Sequence, residues 1–287
     1  MERVTLLARV PARRRPSIRL PWRQVLAAFV ALPFAVPFLW LVASVLKPPG
    51  EFYAAPPALL PANPSLENIA GVARLVDVPR LFLNTTLVAV ITAVGSVLSS
   101  ALVGFAFATL EARGARVLFA ILIGTILIPP AALIVPQFVV FSRLGWVDTY
   151  LPLLVPALLG NAFFVFLFRQ WFRSLPPHLF EQAELDGADP LQAFRHIALP
   201  LAKPALAAVA VFAFVGAWND FPGPVVYLRD PDSFTLSLGL ASFQGLYVNQ
   251  LHHTIALAGL ALVPPVVLFL LAQRVLVRGV STAGWRT

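Results

Sequence analysis

The densest chemistry in this chain is four carboxylates, Glu181, Glu184, Asp186 and Asp189, inside a polar island that reads EQAELDGADPLQAFRHIALP over residues 181–200. Paired carboxylates can serve as general acid and base or hold a cation. The spacing points elsewhere. Glu181 and Glu184 neighbour each other on one helical face, but Asp189 stands before Pro190 in the pattern of a helix N-cap, and no apolar pocket is evident that would shift a carboxyl pKa. A solvated charged loop and a docking helix both fit such an island. The other reaction centres are missing: there is no cysteine, no G-x-S-x-G elbow and no H-E-x-x-H helix, and His252-His253 has no two further ligands to complete a metal site. A phosphate-binding loop needs a Gly-Lys step. The only lysines, Lys47 and Lys203, follow Leu46 and Ala202, so no such step exists and no enzymatic turnover is expected of this chain.

The island carries its own local logic. Pro177 can open a short helix, and Gly187 breaks it where left-handed backbone is tolerated. Asp189 then caps a second helix, with Pro190 at its first position. Leu191, Phe194 and Ile197 follow on one face, Pro200 ends the run, and Arg195-His196 add a basic pair. The result is a compact knob of two short helices whose apolar side can lie in a partner's groove.

The elements that position this knob are membrane spans. With 59% hydrophobic residues, 12% charged residues and a mean hydropathy of +0.83, the chain is far less charged than a soluble domain, which carries about 25%. Six runs have the length and apolarity of spanning helices: 24–46, 85–110, 117–141, 150–171, 204–221 and 254–277. The first is read as a retained helix rather than a cleaved signal. This divides the chain into a basic tail 1–23, a membrane domain 24–278 that includes the knob at 177–200, and a tail 279–287.

The net charge of +8 would suit nucleic acid, but the positions of the charges decide otherwise. If the chain starts inside and crosses six times, sixteen of its 21 Lys and Arg fall on the cytoplasmic side, among them Arg113, Arg116, Arg169, Arg173, Arg195, Lys203, Arg274 and Arg278. That asymmetry is the positive-inside signature, with both termini cytoplasmic and anionic lipid as the partner of the basic residues.

Within the spans, proline pairs at Pro129-Pro130 and Pro264-Pro265 are expected to kink the third and sixth helices. Asn161, near the midplane beside Gly160, marks a substrate path or an interhelical hydrogen bond, while Trp218, Asn219 and Asp220, toward the outer end of the fifth span, mark such a path or an interfacial aromatic with a helix-end polar pair. An indole face there would stack on a sugar ring.

Residues Glu181, Ala183, Asp186, Gly187, Ala188, Phe194, Ile197, Leu199, Pro200 and Pro204 resemble the E-A-A-x-x-D-G-A … I-x-L-P signature of membrane subunits of binding-protein-dependent ABC importers. The stretches 217–221, 229–239 and 269–274 with Gly279 are similar to the second, six-helix permease of maltose-type carbohydrate systems, while Gln182 and the tail 281–287 depart from the pattern. The resemblance implies an all-helical, six-span type I permease of the bacterial inner membrane, with Glu181, Gln182, Ala183, Asp186, Gly187, Ala188, Ile197, Leu199 and Pro200 coupling to an ATPase. It further implies a homologous second permease, two ATPase copies that bind ATP and Mg, and an extracytoplasmic sugar-binding protein contacted through Arg229, Asp230, Gln244 and Tyr247. A di- or oligosaccharide is the implied cargo. Glycerol phosphate, or a stand-alone secondary transporter, is the alternative.

Overall fold

The computed structural model describes residues 22–53, 58–110, 112–244 and 250–283. Most of the expected basic tail, residues 1–21, and residues 284–287 lie outside them. The described residues are organised around α3 (Val78–Thr109), a helix of 32 residues with half of its most apolar window buried. Asp77 starts it by accepting the Arg80 N–H at 3.1 Å. Small residues on α3 let its neighbours approach. A Cβ on Gly104 would lie 2.7 Å from the Phe168 Cβ and 3.0 Å from the Val165 carbonyl, and one on Gly95 would strike Leu158. Those partners belong to α6 (Leu151–Leu158) and α7 (Ala162–Arg173), while α11 (Lys203–Trp218) packs along another side of α3.

Around this centre the chain adds α1 (Trp22–Val45), which lies on α14 (Leu251–Ala283), and the short α2 (Glu67–Leu75) in the first expected loop. Among the described residues four helical stretches, Gln24–Val45, Val78–Thr109, Leu251–Val275 and the α6–α7 run Leu151–Arg173, are each long and apolar enough to span a membrane. The count reaches six when two bent pairs are each taken as one span. The first bent pair is α4 (Ala115–Thr125) and α5 (Pro130–Arg143), which turn by 100°. The expected single kinked span at 117–141 is therefore two helices. Pro130 disfavours helical backbone in the residue before it, and Pro129 is extended at φ −60°, ψ 130°.

The second proline pair behaves differently. Pro264 and Pro265 sit inside an unbroken α14, where Pro265 has no N–H to give the Ala261 carbonyl. The indole N–H of Trp218 donates to that carbonyl at 3.0 Å instead. Trp218 is 4% exposed, stacks on Phe214 at 5.4 Å and meets Phe82 edge-on at 6.0 Å. The expected substrate-path role of Trp218 is thus corrected: the side chain is a rivet between α11 and α14 with no free face for a sugar. The final helix also overruns its expected end, continuing to Ala283 through the segment read as tail.

Two apolar clusters hold the bundle, one around Phe105, Phe168, Phe172 and Phe194 and one around Leu81, Trp218, Leu236 and Leu257. Outside them the helices are coated with exposed apolar side chains, such as Phe29 at 74% and Val135 at 71%, as a lipid-facing surface requires.

Replacing Trp218 by Phe keeps the ring and orphans the Ala261 carbonyl, so thermal unfolding in detergent should show a loss of about 1–3 kcal/mol. A Pro265→Ala change in the same chain restores an N–H to that carbonyl and should recover part of the loss. Strict additivity of the two changes would contradict the rivet.

Candidate functional site

The polar island folds as two helices with a locked corner. In α8 (His178–Leu185) the last carbonyls are capped from beyond the helix: Ala188 N–H donates to Ala183 at 2.9 Å and Gly187 N–H to Glu184 at 3.0 Å. This 6→1 and 5→2 pattern requires left-handed backbone at the intervening residue, and Gly187 has φ +82°. Asp189 then closes a capping box: its carboxylate accepts the Gln192 N–H at 2.8 Å, and Gln192 Oε1 accepts the Asp189 N–H at 3.0 Å. Gln192 contributes to the cap, a role that was not anticipated.

The second helix is only one α-turn, α9 (Pro190–Ala193), followed by a π-turn over Phe194–Ala198 and a last turn α10 (Leu199–Leu201). Pro200 sits near the start of α10 and does not end the run, and the chain turns instead at Ala202, by 81° into α11. Leu191 and Phe194 also part company. Phe194, 8% exposed, inserts against Phe105 at 5.2 Å and Phe172 at 6.4 Å, while Leu191 is 63% exposed.

Of the expected coupling residues, Ala183 is buried against the core, Ala188, Ile197 and Leu199 are half-buried, and Glu181, Gln182, Asp186, Gly187 and Pro200 are exposed. Leu185 was missed. It is 87% exposed, and with Leu191 it flanks the glycine corner with apolar surface; two leucines in a polar run were the available signal. Glu181 and Glu184 also line a cavity of about 810 Å3 shared with Arg173, Phe105 and Phe172.

A second site lies at the break between α6 and α7. Gly160 has φ +97°, and Asn161 caps α7 by accepting the N–H groups of Phe163 at 3.0 Å and Phe164 at 3.2 Å. The Asn161 N–H is itself accepted by Ser100 Oγ at 3.1 Å. A cavity of about 350 Å3 opens here, lined by Asn161, Thr92, Ser96, Phe164, Phe212 and Gly216 among others. Asn219 and Asp220, expected on a substrate path toward the outer end of the fifth span, do not line this cavity. The Asn219 amide donates back to Val215 at 2.8 Å, and Asp220 accepts the Gly223 N–H at 3.3 Å, shaping the entry to α12 (Pro222–Tyr227).

At the far end of α3, the loop from 229 leads into α13 (Leu236–Ser242) and is clamped from two sides. Asp148, at φ +64°, accepts the N–H groups of Arg229 at 2.9 Å and Asp230 at 3.0 Å. Those two bonds hold its carboxyl below the ordinary range. On the other side Asn84 donates to the Asp232 and Phe234 carbonyls, Thr85 Oγ1 accepts the Leu236 N–H, and Arg80 pairs with Asp232 at 2.9 Å. The Asp230 carboxylate is used within the loop, on the Asp232 N–H. Arg229 and Gln244 are exposed, while Tyr247 lies outside the described residues. His253 engages Gln250 at 2.7 Å, and no cluster of three or more metal-ligating side chains occurs among the described residues.

Residues 100–282 match the family described as the binding-protein-dependent transport system inner membrane component. The chain is 31% identical to the arabinooligosaccharides transport system permease protein AraQ of Halalkalibacterium halodurans, over 95% of this chain and 99% of that protein. It is 31% identical to the melibiose/raffinose/stachyose import permease protein MelC of Bacillus subtilis, over 94% and 98%. To the sn-glycerol-3-phosphate transport system permease protein UgpE of Escherichia coli strain UTI89 it is 33% identical over a shorter match, 80% and 84%. Among solved structures, a chain of a bacterial ABC transporter involved in the import of the acidic polysaccharide alginate superposes with a TM-score of 0.75 at 22% identity, covering 88% of this chain and 94% of that one. That likeness establishes a shared type I permease fold.

Two outcomes follow from the geometry. Asp189→Ala removes half of the capping box, worth about 1 kcal/mol, so amide exchange at Gln192 and Ala193 should rise about fivefold; unchanged exchange would deny the cap its role. The Asp148 clamp is present while the carboxylate is ionised and is lost as pH falls through its depressed pKa, below the ordinary carboxylate range. A nitroxide placed by Pro231→Cys should therefore gain mobility only in that acid range.

Proposed function

Because the chain belongs to the inner membrane components of binding-protein-dependent transport systems, we propose that it forms half of the path of an ATP-driven importer of di- or oligosaccharides. In this reading a homologous permease completes the path, two ATPase subunits bind ATP and Mg, and a soluble sugar-binding protein delivers cargo from outside. Matches over nearly the full length of oligosaccharide permeases, against a shorter match to the glycerol-phosphate permease, support the sugar class.

One observation carries the coupling role. The knob offers exposed Leu185 and Leu191 beside the acids Glu181, Glu184 and Asp186, on a corner fixed by Gly187 and the Asp189 capping box. Phe194 ties it to α3 and α7 through Phe105 and Phe172. A rigid lever needs both halves: a surface to be gripped and a stiff joint to the bundle. Closure of the ATPase dimer would move the knob as a unit and tilt α3, switching the path from one side to the other. The arginines Arg113, Arg116, Arg169, Arg173 and Arg195 support a cytoplasmic location for this end under the positive-inside rule.

With the complex reconstituted in proteoliposomes, Glu181→Lys and Leu185→Asp should each cut ATP-driven uptake tenfold or more while the subunits still co-purify. Wild-type uptake in both variants would remove the knob from the coupling path. Transport by this chain alone, with no ATPase, would refute the importer reading.

A further inference from the structure

On the reading that this chain is a sugar permease, we infer that the cavity at the α6–α7 break is a cargo site within this subunit, which holds one ring of a neutral saccharide and rejects phosphate esters. The cavity contains no Lys, Arg, His, Asp or Glu among its lining residues. An anion in such a place would face uncompensated desolvation, whereas a neutral polyol needs only hydrogen-bond partners.

One such partner is provided by Asn161. The Asn161 side chain is fixed by its oxygen, which is occupied by the Phe163 and Phe164 N–H groups. Its NH2 is left with two donors and no acceptor among the described residues. Thr92 lines the cavity beside it, but its hydroxyl is packed out of reach of the open space and has no hydrogen-bond partner, so it contributes wall rather than a contact to cargo. A sugar hydroxyl can accept from the Asn161 amide and still donate elsewhere.

The remaining walls suit the rest of a pyranose. Phe212, 61% exposed, and Phe164 offer ring faces for the apolar C–H side of a sugar. Gly216 keeps the volume open, since a Cβ there would meet nothing within 4 Å. About 350 Å3 is at the low end for small-molecule sites, suited to a single ring of a longer chain. The backbone break that creates the space is the kind of irregularity tolerated at membrane depth where it lines a cavity.

The test uses the assembled transporter with its binding protein in proteoliposomes, and reads solute imported per ATP hydrolysed for radiolabelled raffinose, lactose and glycerol 3-phosphate. Asn161→Ser retains a helix cap but loses the amide, and should lower the ratio for the transported saccharide at least fivefold. Gly216→Phe fills the cavity and should lower it at least tenfold. In both variants the subunits should still co-purify and hydrolyse ATP, so that the ratio can be read. An unchanged ratio in Asn161→Ser and Gly216→Phe would overturn the cargo site and leave the importer reading intact. Import of glycerol 3-phosphate per ATP as efficient as that of the saccharides would overturn the selectivity. Absence of ATP-driven uptake of all three probes by the wild-type complex would sink the importer reading and this site with it.

Discussion

Everything in this protein hangs on the close approach of other helices to α3. In lipid, helices gain little from burying apolar surface against one another, so association relies on tight packing and hydrogen bonds. Gly95 and Gly104 supply the packing by admitting Leu158 and Phe168 to the α3 backbone. At about 1.5 Å per residue, the 32 residues of α3 reach from one end of the bundle to the other. Phe105 receives the knob, Thr92 and Ser96 line the cavity at the α6–α7 break, and Arg80, Asn84 and Thr85 hold the far loop. A tilt of this one helix is felt at all three places.

The polar residues of α3 share a task that hydropathy conceals. Backbone that leaves a helix inside a membrane must still satisfy its hydrogen bonds. Ser100 takes the Asn161 N–H at the α6–α7 break, Thr85 takes the Leu236 N–H, and Asn84 serves two loop carbonyls. Trp218 does the same for Ala261 beneath the proline pair of α14. Thr92, which lines the cavity, has a buried hydroxyl with no hydrogen-bond partner.

The knob was the most legible part of the chain because its structure is encoded locally. Gly187 for a left-handed residue, Asp189-Pro190 for a helix start and Pro177 before α8 act within a few residues of where they stand, and each appears where its type requires. The exposed Leu185 and the π-turn at Phe194–Ala198 were not legible, since the first depends on which face the bundle leaves uncovered and the second on Phe194 reaching its aromatic partners. Asn161 was found as a polar residue at depth, but Phe212, Gly216 and Thr92 joined it only because four helices converge there.

Composition and periodicity by themselves determined a membrane-embedded, all-helical chain, the approximate positions of its apolar segments and the existence of a polar knob, because lipid solvation and capping are properties of residue type and short spacing. Tertiary structure decided the fate of each proline pair and of Trp218. Pro129-Pro130 stands at the break before α5, where no residue of α4 or α5 is fully buried, whereas Pro264-Pro265 is carried in a continuous helix with a tryptophan from α11 supplying a missing donor. A proline states that a hydrogen bond is absent. Whether the helix then bends depends on whether another part of the fold replaces it.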